Sequence, residues 1–311
     1  MVLNSKSKNN VGIMLISHGS TLHFASNVFN EITEKFKKVS DYPVEIGYMK
    51  VSNPTISQAA HNLSLKSVDK IIAIPIFLAD GIHTLVDIPL MLGMDIKEID
   101  PRSPDGVYPE DHYLNHIDDI DFDGEVALLD CIGPDNLILQ IVKNKVDDAF
   151  VNSENLNKEN TGIILISHGS RLNYNREFIN ELLRMFKDET DYNATLGFME
   201  LTNPTIPVAI NEFLKDNYFE NLIAVPVFIA PGMHTKRDIP RILKLPTDIK
   251  SKEGHHHHDH HHSHHKHHGH SHTHDDVEME FDGNIIYLDP IGSDSLLIDI
   301  IKQRIDAEVN K

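Results

Sequence analysis

The sequence predicts an α/β protein of two tandem domains, each a parallel sheet flanked by helices. Two observations predict it: a long internal duplication, and a strand–helix alternation inside each copy. GIMLISHGSTL at residues 12–22 recurs as GIILISHGSRL at 162–172, and GYMKVSNPTI at 47–56 recurs as GFMELTNPTI at 197–206. IAIPIFLADGIHTLVDIP at 72–89 recurs as IAVPVFIAPGMHTKRDIP at 223–240, and DCIGPDNLILQIV at 130–142 recurs as DPIGSDSLLIDII at 289–301. Four collinear matches of this length define a duplicated domain. Their spacing is nearly constant through the first three and jumps before the fourth, so one insertion region lies late in each copy. The expected divisions are residues 1–151, a polar linker at 152–160, and residues 161–311.

In the first copy, residues 13–16 form a short apolar strand and 22–39 carry helical periodicity. Residues 44–49 read as a second strand, and 54–65 as a helix with Pro54 in its first turn. Residues 71–78 are a third strand, 88–92 a short helix, 126–129 a fourth strand and 134–146 a closing helix. Continuous apolar strands alternating with helices make a parallel sheet covered on both faces. Ligands of such sheets bind beyond the carboxyl ends of the strands, where the repeated motifs fall.

Composition narrows the partners. The formal net charge of −19 argues against nucleic acid and anionic membrane surfaces. No stretch approaches the roughly 18–20 consecutive apolar residues of a membrane span, and the N-terminal apolar strand is too short for a signal-peptide core. The one cysteine, Cys131, lies in an apolar run and reads as a buried, inert thiol. These features fit a cytoplasmic protein.

Candidate chemistry concentrates in histidines. Ser17-His18-Gly19-Ser20 and Ser167-His168-Gly169-Ser170 each follow a buried strand and precede a helix, so each imidazole stands at the mouth of a sheet. His83 and His234 follow the third strand of each copy. First and third strands are commonly neighbours, which would open both loops on one cleft. Taken singly, each histidine could merely hydrogen-bond its own turn. A pair in each copy suits a borderline divalent metal such as cobalt, nickel or zinc, and equally suits proton removal near neutral pH.

The strings ISHGS, GFMELTNPTI, PVFIAPGMHTKRDIP and YLDPIGSDSLLIDII resemble those of the small sirohydrochlorin chelatases of the CbiX type. That resemblance covers nearly the whole chain apart from the linker and a histidine-rich tract. It implies a chelatase-type fold, pairing of the two domains as an internal pseudo-dimer around a tetrapyrrole, and insertion of Co2+ or Ni2+ into sirohydrochlorin. The family's metal-binding histidines fall on His168 and His234, and in copy one on His18 and His83. Ser170, Arg171, Lys236 and Arg237 are the residues expected to hold the tetrapyrrole's carboxylates. Glu200, where copy one has Lys50, would accept a proton or hold the hydrated cation. Copy two is therefore expected to be the better-preserved catalytic half, with His18 as an auxiliary catalytic residue. No GxxxxGK[ST] string is present, so no ATP and no cofactor beyond the substrate metal is expected. Iron insertion for sirohaem is the alternative enzyme reading.

Residues 254–276 hold 14 of the 22 histidines. Interspersed Asp, Ser, Lys and Gly suit capture of metal near the cleft. They also keep open a binding-only reading, a metal store or chaperone. His23 and His61 are expected to face solvent. Asp87 and Asp238 read as caps of the helices that follow, and Asn53 and Asn203 as helix-start residues.

Overall fold

The computed structural model describes residues 10–21, 23–96, 98–247 and 277–311. The histidine-rich tract at 254–276 and the side chain of His23 lie outside the described residues. Copy one contains β1 (Val11–Ser17), α1 (His23–Val39), β2 (Val44–Tyr48), α2 (Ile56–Ser64), β3 (Lys70–Pro75), α3 (Ile88–Met91), β4 (Glu125–Leu128) and α4 (Asn136–Val151). Copy two repeats the order with β5 (Thr161–Ser167), α5 (Tyr174–Glu189), β6 (Asn193–Phe198), α6 (Ile206–Lys215), β7 (Asn221–Pro226), α7 (Ile239–Ile242), β8 (Asn284–Tyr287) and α8 (Ser295–Val309). Each sheet is four-stranded and parallel, in the orders β2-β1-β3-β4 and β6-β5-β7-β8. The expected adjacency of first and third strands holds in both copies.

Several boundaries differ from the sequence expectation, among them β1, which runs from Val11 to Ser17, and the start of α4 at Asn136; three of the differences have a plain physical reason. β3 ends at Pro75, not at 78, because proline offers no N–H to the ladder and the chain then turns out of the sheet. α2 begins at Ile56 under a capping box of Thr55 and Gln58, so Pro54 precedes the cap instead of sitting in the first turn. α4 continues to Val151, since Ala149 and Phe150 still find apolar partners in the core.

Alternation along the central strands divides the core. Ile13 and Leu15 of β1 enter one cluster with Ile163 and Leu165 of β5, and that cluster spans both copies. Met14 and Ile16 face a separate outer cluster under α2 and α3. Ile164 and Ile166 face the corresponding one under α6 and α7. The inner layer is built by α1, α4, α5 and α8, with α8 packed against both α1 and α4. Burial of this apolar surface is the main force joining the halves. Polar ties across the seam add direction: Arg304 donates to the carbonyls of Cys131 and Ile132, and Lys143 pairs with Glu189 at 2.9 Å. Cys131 is a free, buried thiol, pushed up to about 12 by burial and then by Asp80. No helix among the described residues is long and apolar enough to cross a membrane.

Candidate metal centre

The turns after β1 and β5 are built around one backbone requirement. Gly19 and Gly169 take φ of 87° and 91°, and a Cβ at either would lie 1.9 or 1.8 Å from the carbonyl oxygen of Lys50 or Glu200. Only glycine fits so close an approach. This turn sets His18 and His168 at the strand mouths, where Nδ1 of each donates to the next residue's carbonyl, at 3.0 and 2.9 Å. Donation from Nδ1 leaves Nε2 as the lone-pair nitrogen.

The second histidine of each pair begins a single π-helical turn, His83–Asp87 or His234–Asp238. That turn brings the carboxylate four residues on against the ring. His83 Nδ1 donates to Asp87 Oδ2, and His234 Nδ1 donates to Asp238 Oδ2 at 3.0 Å. A carboxylate behind an imidazole fixes its tautomer and raises its basicity as a ligand. Neither aspartate makes the helix-capping bond expected of it. Both are orienting groups instead, a role missed because an Asp before Ile-Pro looks like a cap. The repeated HTxxD spacing, histidine and acid at i and i+4 in both copies, was the available signal.

The pairs meet as expected. Ring centroids lie 5.0 Å apart for His18 and His83, and 4.8 Å apart for His168 and His234. All four imidazoles line one cavity of about 670 Å³ between the copies. Its walls are mainly apolar, from β3- and β7-end residues such as Phe77 and Phe228. Leu201, half-exposed and at φ 62°, adds an apolar side chain to its wall. Among the described residues no cluster of three or more His, Cys, Asp or Glu side chains forms a ready-made metal cage.

The flanking residues divide. Glu200 Oε1 lies 3.5 Å from His168 Nε2, close enough to share a proton or an ion with it. Ser170 and Arg171 line the cavity. Lys236 and Arg237 are absent from its lining: Lys236 reaches Asp289 at 3.2 Å, and Arg237 Nε donates to Asp238 at 2.7 Å. Burial disfavours the Asp238 carboxylate, but Arg237 and His234 outweigh it and hold its pKa below the usual range. Backbone amides in the β5 turn are already satisfied by neighbouring side chains, Gly169 N by Asn175 of α5 and Ser170 N by Thr202 after β6. Among the residues expected to hold carboxylates, Arg171 is the cation that lines the cavity.

Copy one differs behind its histidines. Asp87 is fully buried and receives Arg102 and Tyr113 as well as His83. Burial opposes its ionisation, yet these three donors hold its pKa low. Lys50 rests 3.8 Å over the Tyr113 ring, and its own pKa is lowered, chiefly by burial. His18 is likewise held below the ordinary imidazole value, first by burial, with further lowering from His83 and Lys50. Arg102 and Tyr113 escaped sequence reasoning, because the segment carrying them has no readable counterpart in copy two. His61 is half-exposed and pairs with Asp121 at 3.1 Å, as a solvent-facing residue would.

Two duplicated parallel sheets that converge four oriented imidazoles on one cavity define a tandem α/β protein with its candidate site between the copies. The chain belongs to the CbiX family, whose model matches it twice, at residues 12–149 and 162–308. Single-copy relatives align with about half of it. The sirohydrochlorin cobaltochelatase of Methanothermobacter thermautotrophicus is 43% identical over 159 residues, 51% of this chain and 100% of that one. That of Methanocaldococcus jannaschii is 46% identical over 143 residues, 46% of this chain and 95% of that one. Among solved structures, SirB from Bacillus subtilis with Fe3+ superposes with a TM-score of 0.66 at 15% identity, covering 96% of both chains. CbiX, described as the terminal enzyme for biosynthesis of siroheme in denitrifying bacteria, gives 0.54 at 15% identity, covering 96% of this chain and 98% of that one. These two likenesses concern the fold.

Proposed function

We propose that the protein is a sirohydrochlorin cobaltochelatase, with residues 1–151 and 161–311 as its two halves and 152–160 as the joint. The observation that carries this is the shared cavity, where each histidine has its Nδ1 engaged and its Nε2 left to take a metal. Its volume falls within the range of small-ligand sites, and apolar walls suit a flat macrocycle. The identity of the metal and the tetrapyrrole comes from the names of the relatives.

In this reading Co2+ is a substrate. It binds His168 and His234 with water in its remaining positions, and those waters exchange for the four ring nitrogens. Two ring N–H protons leave as one divalent ion enters, so charge balances. Glu200 and the nearby imidazoles accept the protons. Arg171 and Ser170 hold peripheral carboxylates, with Lys236 and Arg237 at the rim released from their acidic partners when the macrocycle arrives. No nucleotide takes part.

The test is an absorbance assay of the purified chain with sirohydrochlorin and, separately, Co2+, Ni2+ and Fe2+. Cobalt insertion well above the protein-free rate is expected. A fastest reaction with Fe2+ would move the protein to sirohaem synthesis, and no rate above background with any metal would leave metal binding alone.

A further inference from the structure

The stretch between α3 and β4 is the part of copy one that metal insertion leaves without a task. It carries Asp100, Arg102, Tyr108 and Tyr113, whose side chains converge behind His83. Arg102 Nη2 donates to Asp87 Oδ1, and its Nη1 lies 3.4 Å from Oδ2. The Tyr113 hydroxyl donates to the same Oδ2 that accepts His83 Nδ1. On its other edge Arg102 is gripped by Asp100, with Nε 3.0 Å from both carboxylate oxygens and Nη2 at 2.7 Å. Tyr108 donates to Asp100 at 2.7 Å.

The bonds of Asp100 with Arg102 and Tyr108 suffice to fold the segment on itself. Those to Asp87 leave the segment and reach the one group that orients His83. A fully buried carboxylate is tolerated only when its lone pairs are taken by good donors, and removing one donor leaves a badly solvated charge. With Arg102 and Tyr113 in place, Asp87 cannot turn from the imidazole. Copy two lacks this brace: among the described residues Asp238 receives only Arg237 Nε and His234 Nδ1, and about a quarter of its side chain is exposed.

We propose that Arg102 and Tyr113 are positioning residues for metal capture: by immobilising Asp87 they make His83 a rigid second anchor for the divalent ion, facing the His168–His234 pair. The inference rests on the chelatase reading, but its test has a readout of its own. The chain is titrated with CoCl2 alone, both whole and with residues 254–276 deleted so that the tract's imidazoles do not mask the cavity, following the visible absorption of protein-bound Co2+. The cobalt dependence of insertion is then measured with sirohydrochlorin. Arg102→Ala and Tyr113→Phe should each weaken Co2+ binding by about tenfold, the lower end for partners of metal-ligating histidines. Both should raise the cobalt concentration for half-maximal rate by a similar factor. In a His83→Ala background neither should add a further loss, because the brace then has nothing to aim. Arg102→Lys should restore little, since one ammonium cannot bridge two carboxylates.

Tyr113→Phe removes a single hydroxyl and keeps the question answerable if Arg102→Ala melts early. Unchanged cobalt binding in Tyr113→Phe would overturn the proposal. So would equal losses with and without His83, which would make the brace a purely structural clamp. A wild-type chain that binds Co2+ but inserts none would defeat the chelatase reading while the coupling to His83 could still be read from the titration.

Discussion

The two copies place their imidazoles alike and surround them differently. Ring separations agree within 0.2 Å, and both copies use the same glycine turn and the same π-helical turn. Behind those rings, copy one has a sealed aspartate braced by arginine and tyrosine; copy two has an open aspartate beside its own arginine. Beside them, copy one has a lysine on a tyrosine face and copy two a glutamate at a histidine. The supporting turn differs too. Asn175 accepts from Ser167 Oγ and Gly169 N in copy two, whereas among the described residues Ser17 Oγ in copy one has no hydrogen-bond partner. Duplication has kept ligand geometry and let the groups that handle charge diverge. On the proposed function, that divergence would give a fixed side and a proton-accepting side.

The largest expected effect tests the accepting side. His168→Ala or His234→Ala should lower the cobalt insertion rate on the order of a thousandfold with the thermal melt unchanged, as for loss of a group acting directly in proton transfer. The double variant should be little worse than either single one, because both serve one ion. Near-normal turnover in either would remove copy two from the chemistry.

Stability should show the opposite asymmetry. Asp87→Asn turns an amide NH2 toward the donors that faced a carboxylate, and should destabilise by about 3 kcal/mol in a denaturant titration, as for a broken buried ion pair. Asp238→Asn, partly exposed, should cost less than about 1 kcal/mol. Equal losses would mean that the brace adds nothing to copy one. Acid should report the same network. Burial disfavours ionised Asp100, but Arg102 and Tyr108 overcome it and hold its pKa at about 2, below the ordinary 3.8. A carboxylate depressed in the folded state stabilises the fold above its unfolded pKa, and that contribution is lost as pH falls through the folded value. The wild-type chain should therefore lose this support between about pH 4 and pH 2. Arg102→Ala should move the acid midpoint upward.

Smaller effects sharpen the division of labour. His18→Ala and His83→Ala should each cost about tenfold in rate at limiting cobalt, comparable to loss of a supporting metal contact. Losses equal to those at His168 and His234 would make the cavity a symmetric four-histidine site. Deleting residues 254–276 should leave the maximal rate at saturating cobalt intact and raise the half-saturating concentration a few-fold, as loss of a weak local reservoir would. A lower maximal rate with unchanged cobalt dependence would put the tract in the reaction itself.

Much of this was legible in the chain. Strands such as 13–16 and 163–166 are apolar on both faces, which only a covered parallel sheet permits, and the duplication then placed two histidines per copy at strand ends. What escaped was set by contacts distant in sequence. Lys236 and Arg237 read as free cations, but Asp289 and Asp238 decide where they point. Arg102 lies in a segment with no hydrophobic period to anchor a reading, and its importance appears only once Asp87 is known to be sealed. The aspartates carried a repeated four-residue spacing from the histidines, yet a π-helical turn was needed to turn spacing into contact.

The inner layer joining the copies also bears on how the chain is made. α1 and α4 present their apolar faces to α8, which is the last helix of copy two. During synthesis the first copy is complete long before that covering helix leaves the ribosome. At common elongation rates the delay is on the order of ten to thirty seconds. Throughout that interval the inner face of α1, and the part of α4 that α5 does not cover, stay open to water, to a chaperone, or to the same faces of a neighbouring nascent chain. The arrangement that clamps four imidazoles around one cavity thus carries a hazard at birth: two unfinished chains can pair in trans before either can close on itself.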